Sequence, residues 1–349
     1  MTQLRRTARA LVSGGRGILA ADQSIATLSA ELEHAGVRAC AEHRRAYRQL
    51  LVTTPDLHCG ISGVILSDET FGQRLDNGVP FPHAVSELGM LPGIRLDVGA
   101  RPLAGAPGET VTEGLDHLRE RVLDYTGRGA RFATWRALIA IGAGRPTERA
   151  LRANAHALAR YAAVCQEIGV VPLVEPRVLT VGDHTIRTCA HVTSMTLLMV
   201  MRELHDAGVD PSGVVLAPNL VQPGASSGQT ATPDQVAGQT VRSLELVVSS
   251  TLAGVAVCVG GAGQTPHTPQ WAAENLAALH RQDAPWPVTF HCGGPLTNRA
   301  LATWRGDPER VGNGQRVLAR QVNGLYAARL GAATSGRPTV RGAAPDDQE

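Results

Sequence analysis

Short apolar runs recur along the chain at intervals of a few tens of residues. They read GILAAD (17–22), GVILSDE (63–69), GIRLD (93–97), FATWR (132–136), VPLVEP (171–176), GVVLAPN (213–219), GVAVCVGG (254–261) and PVTFHCGG (287–294). Each is too short for an ordinary helix and apolar on both faces, as strands buried in a parallel sheet are. Amphipathic stretches lie between them. In ERALRANAHALARYAAVCQEIG (148–169), Leu151, Ala155, Leu158, Tyr161, Ala162 and Cys165 fall at helical spacing, and Gly169 supplies a stop. HVTSMTLLMVMRELHDAG (191–208) and QWAAENLAALHRQ (270–282) repeat the pattern. Eight alternations predict an α/β chain folded as a parallel (β/α)8 TIM barrel. The alternative is an open doubly wound sheet, but no GxGxxG follows the first run, since the glycines of GGRGILAAD precede it. No linker divides the chain. The expected organisation is a single barrel over residues 1–336 and a polar, frayed tail over 337–349. The small polar residues of GASSGQTATPDQ (224–235) read as a loop on the barrel rim, with an inert surface loop an equal alternative.

Composition changes this picture in one respect. All 33 Lys+Arg positions are arginine, so the chain contains no lysine. Arginine stays protonated and cannot serve as an amine nucleophile. The net charge of +2 points to neither nucleic acid nor a membrane surface. Six cysteines at irregular spacing form no CxxC pair, and no run approaches the length of a membrane span or a signal peptide. A cytoplasmic protein is the expectation.

Barrel enzymes carry their catalytic groups at the C-terminal ends of strands. Those ends hold Asp22, Ser67-Asp68-Glu69, Asp97, Trp135-Arg136, Glu175 with Arg177, Asn219, Cys258 with Gly260-Gly261, and His291-Cys292. One such residue is ordinarily a satisfied structural group, whereas so many converging polar groups suggest a pocket.

At these positions the chain resembles the class I fructose-bisphosphate aldolases. LAADQS (19–24) is similar to the family signature LAADES. DNGVPFP (76–82), PLAGAPGETVTEGLD (102–116), FATWR (132–136), NAHALARYAAVCQEIGVVPLVEP (154–176), GDH (182–184) and APNLVQPG (217–224) fit in the same order. The resemblance runs from about Gly14 to about Tyr326 and implies the same barrel, and by family habit a homo-oligomer. It also locates the departures. The family's imine-forming lysine, in a KPN motif, falls at Ala217, and its second lysine, in FAKWR, falls at Thr134. A further lysine falls at Arg95, the second glutamate of VEPE at Arg177, a phosphate-gripping serine at Val259 and a phosphate-gripping arginine at Gly294.

From these departures the expectation is a barrel repurposed for lyase or isomerase chemistry. The substrate would be a small anionic carbonyl compound or carboxylate. Asp22 and Glu175 would act as acid/base groups and His291 as a second base. Ser24, Glu69, Arg95, Trp135, Arg136, Arg177, Gly260 and Gly261 would contact substrate. The alternative is an inactive pseudo-aldolase that binds a ligand or acts as a scaffold. His291 could instead fill volume, and Cys258 could be core packing. A metal held by His291, Cys292 and a third ligand such as Glu175 or His184 matches no recognised spacing, so no metal or cofactor is expected.

Overall fold

The computed structural model describes residues 2–260 and 268–329. Eight parallel strands close into a barrel: β1 (Gly17–Ala21), β2 (Ile61–Leu66), β3 (Leu91–Arg95), β6 (Phe132–Ile139), β7 (Val171–Val178), β8 (Val215–Leu216), β9 (Gly254–Cys258) and β10 (Val288–Cys292). Strands adjacent in that order pair with each other, and β10 returns to β1 through Ile18 opposite His291. All eight apolar runs became barrel strands. The sixth is the shortest, because Pro218 follows it and only an isolated bridge, Asn219 to Cys258, continues the ladder. A two-stranded antiparallel hairpin, β4 (Gly99–Pro102) with β5 (Thr110–Glu113), was not legible as strands, being short and mostly solvated.

The helices land close to where the periodicity put them, at Glu148–Ile168, Ile186–Asp206 and Pro269–His280. The rim loop is shorter than its composition suggested. Thr232 caps a helix over Pro233–Glu245, and its capping box with Gln235 was hidden in the run TPDQ.

Strand alternation splits the apolar residues into two sets. One parity, including Ala133, Trp135, Val174, Val257, Val259, Phe290 and Cys292, packs outward against the helices. The other, including Ile18, Ala20, Phe132, Leu173, Val215, Ala217, Ala256 and Cys258, fills the barrel. The N-terminal helix Gln3–Val12 closes the end where the strands begin, placing Ala8, Leu11 and Val12 in that inner cluster. Close packing there depends on glycine. A Cβ on Gly93 would lie 2.3 Å from the Phe132 ring, so only glycine lets that ring lie across the interior.

The proposed domain boundary at 336 and the tail beyond it lie outside the described residues. Among the described residues no helix is long and apolar enough to cross a membrane.

Candidate active site

Along each strand the inward series changes character at its C-terminal end. On β6 it runs Phe132, Thr134, Arg136, and on β7 Leu173, Glu175, Arg177. On β9 it runs Ala256, Cys258, and on β10 Thr289, His291, while Asp22 follows β1 in the parity of Ile18 and Ala20. The polar groups therefore meet at one end of the barrel.

Glu175 is their centre and is fully buried. Its Oε2 accepts a hydrogen bond of 2.8 Å from Arg136 Nε, and Arg177 Nη1 lies 3.9 Å from the same oxygen. Its Oε1 accepts a short hydrogen bond from the Thr134 hydroxyl and stands 3.9 Å from His291 Nε2. Burial pushes the Glu175 carboxyl up, but Arg136, His291 and Arg177 outweigh it and hold the group well below the usual carboxylate range. Burial opposes the charge on Arg136 too, yet Glu175 and Asp22 raise its pKa further, so the pair is ionised.

Arg136 also reaches Asp22, 3.5 Å from its Oδ2, and Arg95 lies 4.0 Å from the same oxygen. Asp97 closes this side. Its Oδ1 accepts from Arg95 Nε at 3.0 Å and Nη2 at 2.6 Å, and its Oδ2 accepts from the Arg136 backbone N–H. Three carboxylates and three guanidinium groups thus form one balanced network.

On the other side, Cys258 and His291 are register partners on β9 and β10. Cys258 Sγ lies 3.2 Å from His291 Nδ1 and 3.5 Å from the Ala217 carbonyl oxygen, to which the thiol donates. Burial pushes the Cys258 thiol up to about 12. Burial also lowers the His291 pKa, partly offset by Glu175. Arg177 donates to the Gly260 carbonyl at 2.8 Å and so ties the end of β9 to β7.

Asp22, Arg95, Arg136, Glu175, Arg177 and His291 are therefore brought together, with Thr134 and Ala217 beside them. Other expected contacts are not. Trp135 has the outward parity of β6 and packs on Tyr161 at 5.5 Å between ring centroids, because Thr134 and Arg136 take the inward positions. Val259 and Cys292 point outward for the same reason. Ser24 is exposed and caps the helix Ile25–His34 by accepting from Thr27 N–H. Glu69 is taken by Arg44, whose Nε and Nη2 both donate to it. Gly294 opens the helix Gly294–Trp304 at the barrel rim. Gly261 lies outside the described residues. Two members of the site, Asp97 and Cys258, stand at strand ends in the sequence, but the local pattern assigns Asp97 no role and does not separate Cys258 from core packing. The signal that separates them from packing is parity, since both continue an inward series.

A family model described as fructose-bisphosphate aldolase class-I matches residues 3–344. A probable fructose-bisphosphate aldolase class 1 of Xanthomonas campestris is 43% identical over 331 residues, covering 93% of this chain and 97% of that protein. Cytosolic fructose-bisphosphate aldolase 5 of Arabidopsis thaliana is 40% identical, covering 96% of this chain and 92% of its own length. The solved fructose-bisphosphate aldolase of Plasmodium falciparum superposes with a TM-score of 0.92 at 36% identity, covering 96% of both chains. These likenesses correct the expectation of a chain repurposed away from the aldolases, or kept only as an inactive binding or scaffold protein. Whole-length relatives at 40–43% identity carry the aldolase name, and divergence confined to a few pocket positions does not outweigh that. By the span of the family model and the extent of these relatives, the chain belongs to the class I fructose-bisphosphate aldolase family.

Proposed function

We propose that this protein is an aldolase, cleaving and in reverse forming a carbon–carbon bond in a small phosphorylated ketose. Fructose 1,6-bisphosphate, after which its relatives are named, is the first substrate to test. The observation that carries this reading is the buried Glu175, held ionised by Arg136, which also reaches Asp22. Aldol cleavage needs a base for the hydroxyl on one side of the breaking bond and an electrophile for the carbonyl on the other. Asp22 supports the first role. It is buried, carboxylate-bearing and positioned by two guanidinium groups. Arg95, Arg136 and Arg177 place guanidinium donors at the mouth, groups that can bind the anionic oxygens of a phosphorylated sugar. A lysine amine is not available as the electrophile, since the chain has none.

The relatives named as cytosolic support a cytoplasmic location. Met195 and Leu198, exposed one turn apart on the helix Ile186–Asp206, support assembly with further copies of the chain.

The test is cleavage of fructose 1,6-bisphosphate by the purified protein, read as triose phosphate formed. Turnover that falls at least about 100-fold in Arg136→Ala supports the reading. No triose phosphate from the folded wild-type protein at any substrate concentration overturns it.

A further inference from the structure

An aldol reaction leaves an electron pair on carbon, and something must draw that pair toward the carbonyl oxygen. Among the described residues, the barrel interior holds one cluster of side chains suited to it. A carboxylate oxygen of Glu175, the sulfur of Cys258 and a ring nitrogen of His291 lie within 4.8 Å of one another, all buried. Tetrahedral zinc with bonds of about 2.0–2.3 Å separates its ligand atoms by about 3.3–3.8 Å, so a small contraction would close this set. His291 offers one nitrogen to an ion, and Nε2, 3.9 Å from Glu175 Oε1, already approaches that spacing.

Two further observations favour a cation. His291 is 3% exposed, yet its Nε2 has no hydrogen-bond partner although it faces Glu175. A buried ring nitrogen left unpaired is costly unless another atom takes it up. The two oxygens of Glu175 are also divided: Oε2 serves Arg136, while Oε1 faces His291 and Thr134. The carboxylate can therefore keep its guanidinium on one side and accept a metal on the other.

We propose that Glu175, Cys258 and His291 bind a divalent transition cation, zinc by donor type, and that this ion is the electrophile of the aldol reaction. The catalytic role rests on the aldolase reading above, whereas the binding site does not. Glu175, Asp22 and Asp97 already balance Arg95, Arg136 and Arg177. A divalent ion with the Cys258 thiolate then adds one net positive charge, suited to a developing oxyanion. In the cleavage direction the ketose carbonyl oxygen coordinates the ion. Asp22 takes the proton of the hydroxyl carried by the far carbon of the breaking bond. That bond breaks, the hydroxyl carbon leaves as an aldehyde, and the electron pair passes to the metal-bound enediolate. The proton on Asp22 then goes to the carbanionic carbon, leaving a ketone and a free carboxylate. No oxidant or reductant is consumed.

The experiment uses the full chain as produced. Its zinc content is measured, the metal is removed by a chelator, and cobalt(II) is titrated back while sulfur-to-cobalt charge-transfer absorption is followed. The expected result is one ion per chain with a thiolate band in the wild type and no band in Cys258→Ser. Cys258→Ser is close to isosteric. If it does not fold, as judged by circular dichroism, His291→Gln is titrated and should bind at least about tenfold more weakly. A wild-type protein that binds no cobalt stoichiometrically, or a band that persists in Cys258→Ser, overturns the site. Cleavage that drops about 100-fold on chelation and returns with zinc supports the electrophile role. Full cleavage by metal-free protein overturns that role and leaves the aldolase reading intact. Tight binding at this site without any cleavage supports the site and counts against the aldolase reading alone.

Discussion

The two ends of the barrel interior are built from the same strands in opposite chemistry. Where the strands begin, Ile18, Phe132, Leu173, Val215 and Ala256 meet Ala8, Leu11 and Val12 of the N-terminal helix, with no charge among them. Where they end, Asp22, Arg95, Asp97, Arg136, Glu175 and Arg177 form an ionic network next to Cys258 and His291. The apolar end stabilises the fold by removing about 25 cal/mol per Å2 of surface from water. The ionic end gains little by that measure, since desolvating charges offsets most of their attraction. Its arrangement makes sense as pre-organisation for an anionic substrate.

The largest expected effect comes from breaking one half of the central pair. Glu175→Leu leaves Arg136 without its 2.8 Å partner and should lower unfolding free energy by about 3–5 kcal/mol in urea titrations. Adding Arg136→Met should restore most of that stability while cleavage stays lost. A double variant as unstable as the single one would show that the mouth, too, is built for stability, and the contrast between the ends would fail.

At the other end the expectation reverses. Leu11 is fully buried in the plug, and Leu11→Ala should cost about 3 kcal/mol by leaving a cavity against Ala8, Gly63 and Phe132. Turnover measured well below the melting transition should stay within about twofold of wild type, because Leu11 lies on the helix that closes the end of the barrel opposite the ionic network. A large fall in turnover with normal folding would mean that the ends are mechanically coupled.

How much of this contrast was legible in the sequence follows from what each signal encodes. Eight apolar runs located eight barrel strands because burial on both faces leaves little choice of residue. The same double burial hid which residues face inward. Trp135 and Arg136 are neighbours at one strand end, and only the parity fixed by Phe132 and Thr134 sends one to Tyr161 and the other to Glu175. Ser24 and Glu69 fit a family pattern, yet local geometry gives one a helix to cap and the other Arg44 to hold. Cys258 read as packing because a lone cysteine carries no spacing signal. Its meaning comes from His291 on the next strand, 33 residues away in the chain.

Acid sensitivity offers a way to separate the ionic mouth from the outer shell. His280, at the end of the helix Pro269–His280, lies outside the barrel, and burial, reinforced by Arg329, lowers its pKa to about 4. The unfolded chain takes up this proton near its ordinary value of about 6.5. The folded chain resists it until about pH 4. Stability is therefore greatest above the unfolded value and falls as pH drops from about 6.5 toward 4. Allowing for partial exposure, the loss should be about 1–2 kcal/mol. The measurement is the urea midpoint at pH 7 and pH 4.5 in wild type and His280→Asn. If the variant loses as much as wild type, the acid-labile groups lie elsewhere, with the mouth the first place to look.

The smallest effect tests whether polarity near the mouth implies function. Thr147 begins the helix Glu148–Ile168, in the segment that follows β6. Its hydroxyl accepts from Ala150 N–H at 3.2 Å and donates to the buried Glu109 at 2.6 Å, and its own N–H reaches the other oxygen of Glu109. These bonds satisfy a helix terminus and a carboxylate locally and leave no donor directed into the barrel. Thr147→Ala should therefore cost about 1 kcal/mol of stability, as a lost helix cap does, with turnover and substrate affinity unchanged. Thr134 has the same hydroxyl but donates to Glu175 inside the barrel. Thr134→Val, close in volume, should lower turnover, because it removes a hydrogen bond that positions Glu175 inside the barrel. If Thr147→Ala altered turnover as much as Thr134→Val, inward parity would not be what separates the working groups of the mouth from its scaffold.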